Sequence, residues 1–512
     1  MNCPTSFCRR AGKLLCSAGV ALALALPATS VWAQSVTFEG SSFVNKGLVG
    51  VARVPSNAVD SLGDTLGGFG SGMALLPGSW HKKSNGTFTG RLLMVPDRGW
   101  NTQGTVDYQG RLQRFEVTLQ PFYGANTSDQ SQLTMNYKLS NKFHEKKQTP
   151  TTGLDPTGVR PALNGFPKLP IGSNGHVSVD NETVIYPGNG TMWVSDEYGP
   201  YVYHYSASGN LIGAIRPPEA FIPKRLSGGA PADDFSANSP PAGVVYNPPK
   251  GNPLSGRQNN QGFEGMAISP DGTKLFILLQ SALIQDLRAT SAVTIRTSRR
   301  NTRLLAYDIT QPTPALIGEY VVQLPQYVDV ATGETRTAAQ SELLALNDHQ
   351  FLVLARDSGA GFSLAGDTSL YRSIDLIDIA DPVHPATNIA GTAYDSPGTP
   401  VAPNGVLDPG ITPVAYQKFL DINDNAQLNR FGLHNGAPND SNDLYEKWEA
   451  LALAPVFDKQ NPNDYFLFVG SDNDFITQDG HMVGQPYNDA ANVDSLMLVY
   501  RVTLPTYVAP RK

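Results

Sequence analysis

Short apolar runs recur along the chain in pairs, each pair joined through a turn or loop rich in Pro, Gly, Asn and Asp. Five pairs share one pattern: a glycine or acidic residue precedes the first run, and a polar cluster ends the second. Residues 68–74 lead, after an inserted loop, to 91–99. Residues 180–184 lead through Pro187-Gly188-Asn189-Gly190 to 192–197, and 262–267 through Ser269-Pro270-Asp271-Gly272 to 275–281. Residues 341–345 lead through Asn347-Asp348 to 351–357, and 448–452 to 465–472. Runs this short between turn formers predict strands, not helices. Asp271 and Asp348 are read as turn formers.

Further strand-like runs follow each hairpin, at 112–119, 201–205, 304–309, 370–379 and 496–502. Four short strands per unit, repeated, predict an all-β fold, a β-propeller. The units recur at 78 to 111 residues, beyond the roughly 40–50 of a compact blade. Long loop insertions such as 217–261, rich in Pro, Gly, Ser and Asn, account for the excess. The last unit supplies three strands, and Val36-Thr37-Phe38-Glu39 are placed to complete it. That closure removes free sheet edges. The count is five blades, or six if a long gap conceals a weak one; tandem sandwiches are the alternative.

Composition agrees. Gly 49 and Pro 39 make up about 17% of 512 residues, against an average of about 12%. The leading segment reads differently. Arg9, Arg10 and Lys13 precede the apolar stretch 14–26, and Val31-Trp32-Ala33 offers small residues for cleavage near Ala33. Residues 1–33 are therefore read as a secretory signal peptide and 34–512 as a single domain, periplasmic or secreted, with no membrane anchor after cleavage. Ala11-Gly12-Lys13 lacks the hydrophobic residues expected after a twin-arginine pair.

Cys3, Cys8 and Cys16 all lie in that leader, so the remaining chain has no thiol, disulfide or Cys-ligated metal. Removing the leader takes the formal net charge from −7 to −10. An acidic exported chain is a poor nucleic-acid binder and a reasonable host for divalent cations. A monomer is expected.

The acids supply the candidate chemistry. In a propeller the residue before the inner strand and the residue after the second strand lie on one face. The first position holds Glu182, Glu264, Glu342 and Glu449, with Ser71 in the first unit. The second holds Asp97, Asp196, Asp357 and Asp472, with Gln280 in the third. Eight carboxylates at one channel mouth cannot all ionise without cations, and oxygen ligands in number point to Ca²⁺ or another divalent metal. Glu264 and Asp196 are the candidates to activate water, and Arg98 and Arg356 to hold a small anionic ester. The bland reading is that each Glu accepts backbone N–H bonds and each Arg neutralises its neighbour. Residues 421–425 begin like an EF-hand loop, but Ala426 and Gly432 stand where Gly and Glu are required. No HExxH, HxH or GxSxG frame is present. Arg299-Arg300 read as solvated loop charges, and Trp80, Trp100, Trp193 and Trp448 as packing residues.

Several motifs are long enough to be specific. Asp97-Arg98-Gly99, residues 193–200, Asn260-Gln261-Gly262-Phe263-Glu264-Gly265, Ala355-Arg356-Asp357-Ser358-Gly359, residues 447–452 and Ser471-Asp472-Asn473-Asp474-Phe475 resemble the family called esterase-like activity of phytase. The likeness runs from about Gly67 to Leu504. It implies an exported β-propeller related in architecture to phytases that use calcium, with phosphoester or ester hydrolysis as the family label. Asp180-Asn181-Glu182-Thr183 departs from the Asp-Pro-Glu-Gly expected there but keeps both acids. The reading is a metal-dependent esterase of phytase type; a non-catalytic Ca²⁺-stabilised propeller and a lactonase-like hydrolase are the alternatives.

Overall fold

The computed structural model describes residues 33–127, 129–146 and 148–511, so the leader read from the sequence lies outside the described residues except for Ala33. Five antiparallel sheets are arranged as the blades of a propeller. Blade one is Gly72–Leu75, Phe88–Val95, Arg111–Leu119 and Leu133–Lys142, with the short strand His81–Lys82 beside the second. Blade two is Asn181–Ile185, Thr191–Asp196, Val202–Ser206 and Leu211–Ile215. Blade three is Phe263–Ile268, Lys274–Leu279, Asn301–Asp308 and Ala315–Gln323, and blade four is Ala339–Ala345, Gln350–Arg356, Arg372–Asp378 and Ala415–Asp421. Blade five begins with Trp448–Pro455, Asp464–Ser471 and Ser495–Thr503. Each inner strand neighbours the next, and the fifth returns to the first, so the ring closes.

The cores lie between blades. Successive side chains of a strand point to opposite faces. Along Asp464–Ser471, Phe466 and Phe468 therefore pack toward blade one with Leu92, Met94 and Phe115. Leu467 and Val469 pack toward blade four with Leu352, Leu354 and Ile374. Ala450 and Ala452 divide from Leu451 and Leu453 in the same way. Because both faces are covered, such strands read as unbroken apolar runs. Each large side chain buried this way contributes about 1.5–3 kcal/mol. Trp80, Trp193 and Trp448 belong to these cores, and Trp100 packs with Tyr108 and Phe475.

The N-terminal segment completes blade five, but by a different strand from the one expected. Ser41–Val54 pairs with Ser495–Thr503 in the fourth position, and Gln34–Phe38 folds back outside it as a fifth strand. Glu39 and Gly40, both at positive φ (46° and 72°), form the tight turn between them. Gly47, at φ 102°, sits where the register slips, and a Cβ there would meet Gln427 Oε1 at 2.8 Å. A bulge of this kind makes a long strand look broken in sequence.

Two segments shape the channel ends. The insertion 217–261 carries the turn Glu219–Phe221 and the hairpin Lys224–Ser227 with Ala230–Asp233. Arg257, fully buried, donates to the carbonyls of Tyr198 and Phe235 and fastens this insertion to blade two. At the far end the 505–511 tail crosses the channel: Val508 N–H donates to the Leu346 carbonyl (2.7 Å) and Arg511 N–H to that of Pro270 (2.8 Å). The cavity of about 170 Å³ beneath it is lined mainly by apolar side chains such as Met73, Val184, Met266, Leu451 and Tyr507. Asp421 and Asp424 are used locally, Asp424 capping the helix Asn425–Leu428. No helix among the described residues is long and apolar enough to cross a membrane.

Candidate functional site

Backbone irregularity places the acids. In blades two to five the inner strand slips register beside its Glu: between Asn181 and Val184, Phe263 and Met266, Gln340 and Glu342, and Trp448 and Ala450. A bulge bends the strand and re-aims a side chain. Glu182, Glu264 and Glu449 thereby form one charged group with Asp97 and Asp472 at the mouth opposite the tail.

Two clusters stand out. In the first, one oxygen from each of Asp97, Asp472 and Asp474 lies within 4.8 Å of the others. Lys447 Nζ stands among them, 2.7 Å from Asp472, 2.9 Å from Asp474, 3.5 Å from Glu449 and 3.6 Å from Asp97. In the second, Asp180, Glu182 and Glu197 meet the same 4.8 Å limit. Arg98 braces Asp180, its Nη1 donating to Oδ2 at 2.8 Å and its N–H to Oδ1 at 3.1 Å. Arg356 pairs with Glu449, and Gln280 donates to Glu264 Oε1.

The remaining predicted acids have other duties. Asp196 accepts the Asp180 N–H at 2.8 Å and the Gly199 N–H, and so closes the loop that presents Asp180 and Glu197. Asp357 accepts Ser369 Oγ and the Leu370 N–H, each at 2.6 Å. Glu342 is set apart from the two clusters and accepts the Thr183 hydroxyl (2.6 Å), the Leu343 N–H (2.8 Å) and the N–H groups of Met266 and Leu451. It ties together the inner strands of four blades. Glu342→Ala would leave those buried donors unpaired and is expected to cost about 3 kcal/mol or more, measured by urea unfolding. A loss under about 1 kcal/mol would refute this anchoring role.

Sequence reasoning missed Asp180, Glu197, Asp474 and Lys447. The signal was present, since each lies within two residues of an acid that was singled out. Arg299 was misread as a solvated charge. With Asn260, Gln280, Ser281, Tyr327 and Arg356 it lines a cavity of about 150 Å³ beside the acids. It donates to Gln258 and makes no ion pair among the described residues.

Burial sets the electrostatics. It pushes Glu182, Glu264 and Asp97 well above the usual carboxylate range, and neighbouring acids push further. Glu197 is pushed up to about 8, by burial first and Asp180 second. Burial also raises Asp472 to about 7, against the pull of Lys447. For Asp474 burial is outweighed by Lys447 and the Tyr445 hydroxyl, which hold it below its ordinary value. Glu197 Oε1 and Glu264 Oε2 are buried with no hydrogen-bond partner, and Glu449 Oε2 has only the Lys447 ammonium at 3.5 Å. Carboxylate oxygens left over in number fit a hard divalent cation, which would supply the missing partner.

Comparison with known proteins finds a relative along most of the chain. An uncharacterized secreted protein of Arthroderma benhamiae is 42% identical over 463 residues, covering 85% of this chain and 88% of its own. Two solved structures match over most of their length at low identity and low TM-score. A putative 6-phosphogluconolactonase from Bacteroides uniformis is 10% identical with a TM-score of 0.25, covering 82% of this chain and 88% of its own. A Xanthomonas campestris gluconolactonase is 11% identical with a TM-score of 0.21, covering 91% and 99%. The model of the phytase-like family, described as esterase-like activity of phytase, matches residues 71–475, and the chain belongs to that family.

Proposed function

We propose that the protein is an exported, divalent-cation-dependent hydrolase of small anionic esters, phosphoric monoesters of the phytase type first among them. One observation carries this reading. The cavity holding Arg299, Gln280 and Arg356 adjoins Glu264, whose Oε1 takes the Gln280 amide and whose Oε2 has no partner, and Glu449, which Arg356 pairs. An anionic group seated against the two guanidiniums sits beside a carboxylate with a free oxygen. Asp180, Glu182 and Glu197, with Glu264 beside them, would hold the cation, which would polarise the ester and offset the crowded negative charge. Glu264 Oε2 takes a proton from the attacking water as its oxygen bonds to the ester centre, and returns it to the leaving oxygen as the ester bond breaks, while Gln280 holds the other oxygen in place. Arg98 and Asp196 position Asp180 and the loop that bears Glu197.

The test is a panel of phosphomonoesters, carboxylic esters and lactones, assayed with chelator and then with Ca²⁺, Mg²⁺ or Mn²⁺ restored. Phosphomonoester turnover that appears with cation and disappears with chelator is the expected result. A panel with no turnover under any cation would overturn it. The second reading, a cation-stabilised propeller without catalysis, draws support from Arg98 and Arg356 being already paired. It predicts a lower melting temperature with chelator and no turnover.

A further inference from the structure

Two acidic triads flank one mouth, and their hydrogen bonding differs. In the Asp97–Asp472–Asp474 triad every carboxylate has donors: Asp97 from the Gly99 N–H (3.0 Å), Asp472 from the Asp474 N–H (2.7 Å) and Ser71 Oγ (3.1 Å), and Asp474 from the Tyr445 hydroxyl (2.6 Å). Lys447 Nζ then reaches all three, and Glu449 as well. Its ammonium occupies the place a cation would take, joined to the scaffold two residues before Glu449.

The other triad is open. Asp180 has Arg98, but Glu197 has only the carboxyl of Asp180 itself beside it, its Oε1 unpartnered, and Glu182 is surrounded by other acids. Glu197 is 2% exposed and its Oε1 has no partner; Glu264, also 2% exposed, has a free Oε2. A buried carboxylate oxygen without a partner is costly unless a cation is bound to it.

We infer that Lys447 is a built-in cation that replaces a metal ion at the Asp97–Asp472–Asp474 triad, so that the mouth takes one divalent cation, at Asp180–Glu182–Glu197, and not two. This rests on the cation dependence proposed above. A covalently held charge stays in place when metal is scarce, and it leaves only one of the triads dependent on metal supply.

The experiment is calorimetric titration of the chelator-stripped full chain with Ca²⁺, Mg²⁺ and Mn²⁺, with metal content measured by elemental analysis. Wild type is expected to take up one equivalent, and Lys447→Met two. In the wild-type background Glu182→Gln should weaken uptake at least tenfold, whereas Asp97→Asn should leave it within about threefold. Two equivalents in wild type, one in a folded Lys447→Met, or loss confined to Asp97→Asn would each overturn the assignment while leaving cation dependence intact. No uptake of any of the three by wild type would overturn both. Should Lys447→Met fail to melt cooperatively, the Glu182→Gln and Asp97→Asn pair decides alone.

Discussion

Glu264→Gln is expected to lower cation-dependent ester hydrolysis by about 10²- to 10⁴-fold while leaving the melting temperature equal or higher. The two side chains have the same shape, so the Gln280 contact and the packing at the mouth survive. What is lost is the capacity of Oε2 to take a proton. Wild-type Glu264 is held among Glu182, Glu197 and Glu449, so a neutral amide also relieves like-charge repulsion. A loss of function joined to retained stability separates a reacting group from a structural one. Activity within about twofold of wild type, in a protein that still takes up its cation, would remove Glu264 from the reaction.

The second large effect is on stability. In chelator the unfolding free energy is expected to fall as pH rises from 5 to 8. Glu197, raised to about 8, and Asp472, raised to about 7, keep protons in the folded state that unfolded carboxyls lose near pH 4. Across that window the folded protein binds more protons than the unfolded chain, so the slope of stability with pH is negative. The stabilisation is complete below the unfolded values and is lost as pH passes through the folded ones. Each such group contributes about 1.4 kcal/mol per pH unit while the difference lasts. Cation reverses the Glu197 share of the trend by binding the ionised oxygens there, and at one hundred times its dissociation constant adds about 2.7 kcal/mol, while the Asp472 share persists. Chemical unfolding at pH 5, 6.5 and 8, with chelator or with Ca²⁺, measures both. A stability in chelator that is flat across this range would show that the cluster stays ionised without a cation.

The apolar pairs, their turns and their repetition carried the architecture. Phe466 to Val469 read as one unbroken run because alternate side chains enter two different cores, and that pattern is local. The same locality explains where the reading stopped. The completing strand Ser41–Val54 was passed over because Gly47 and Gly50 interrupt its pattern, and beyond Asn45 it is held as a strand by Ser495–Thr503 at the other end of the chain.

The site divides along the same line. An acid near the start of the inner strand of blades two to five was visible in the chain, although each lies within the strand and not before it, and Glu182, Glu264 and Glu449 do gather with Asp97 and Asp472. Whether an acid reacts, binds or anchors depends on which donors reach it, and the donors that set Glu342 apart include ones from other blades. Glu342 looked the same as Glu264, yet Thr183 and three backbone N–H groups claim it. Lys447 is recognisable as a charge-compensating group only once Asp97 is brought from blade one to join Asp472 and Asp474 of its own blade. Alternation of side chains is a property of neighbours in sequence; charge compensation belongs to neighbours in space, and only closure of the ring made those neighbours.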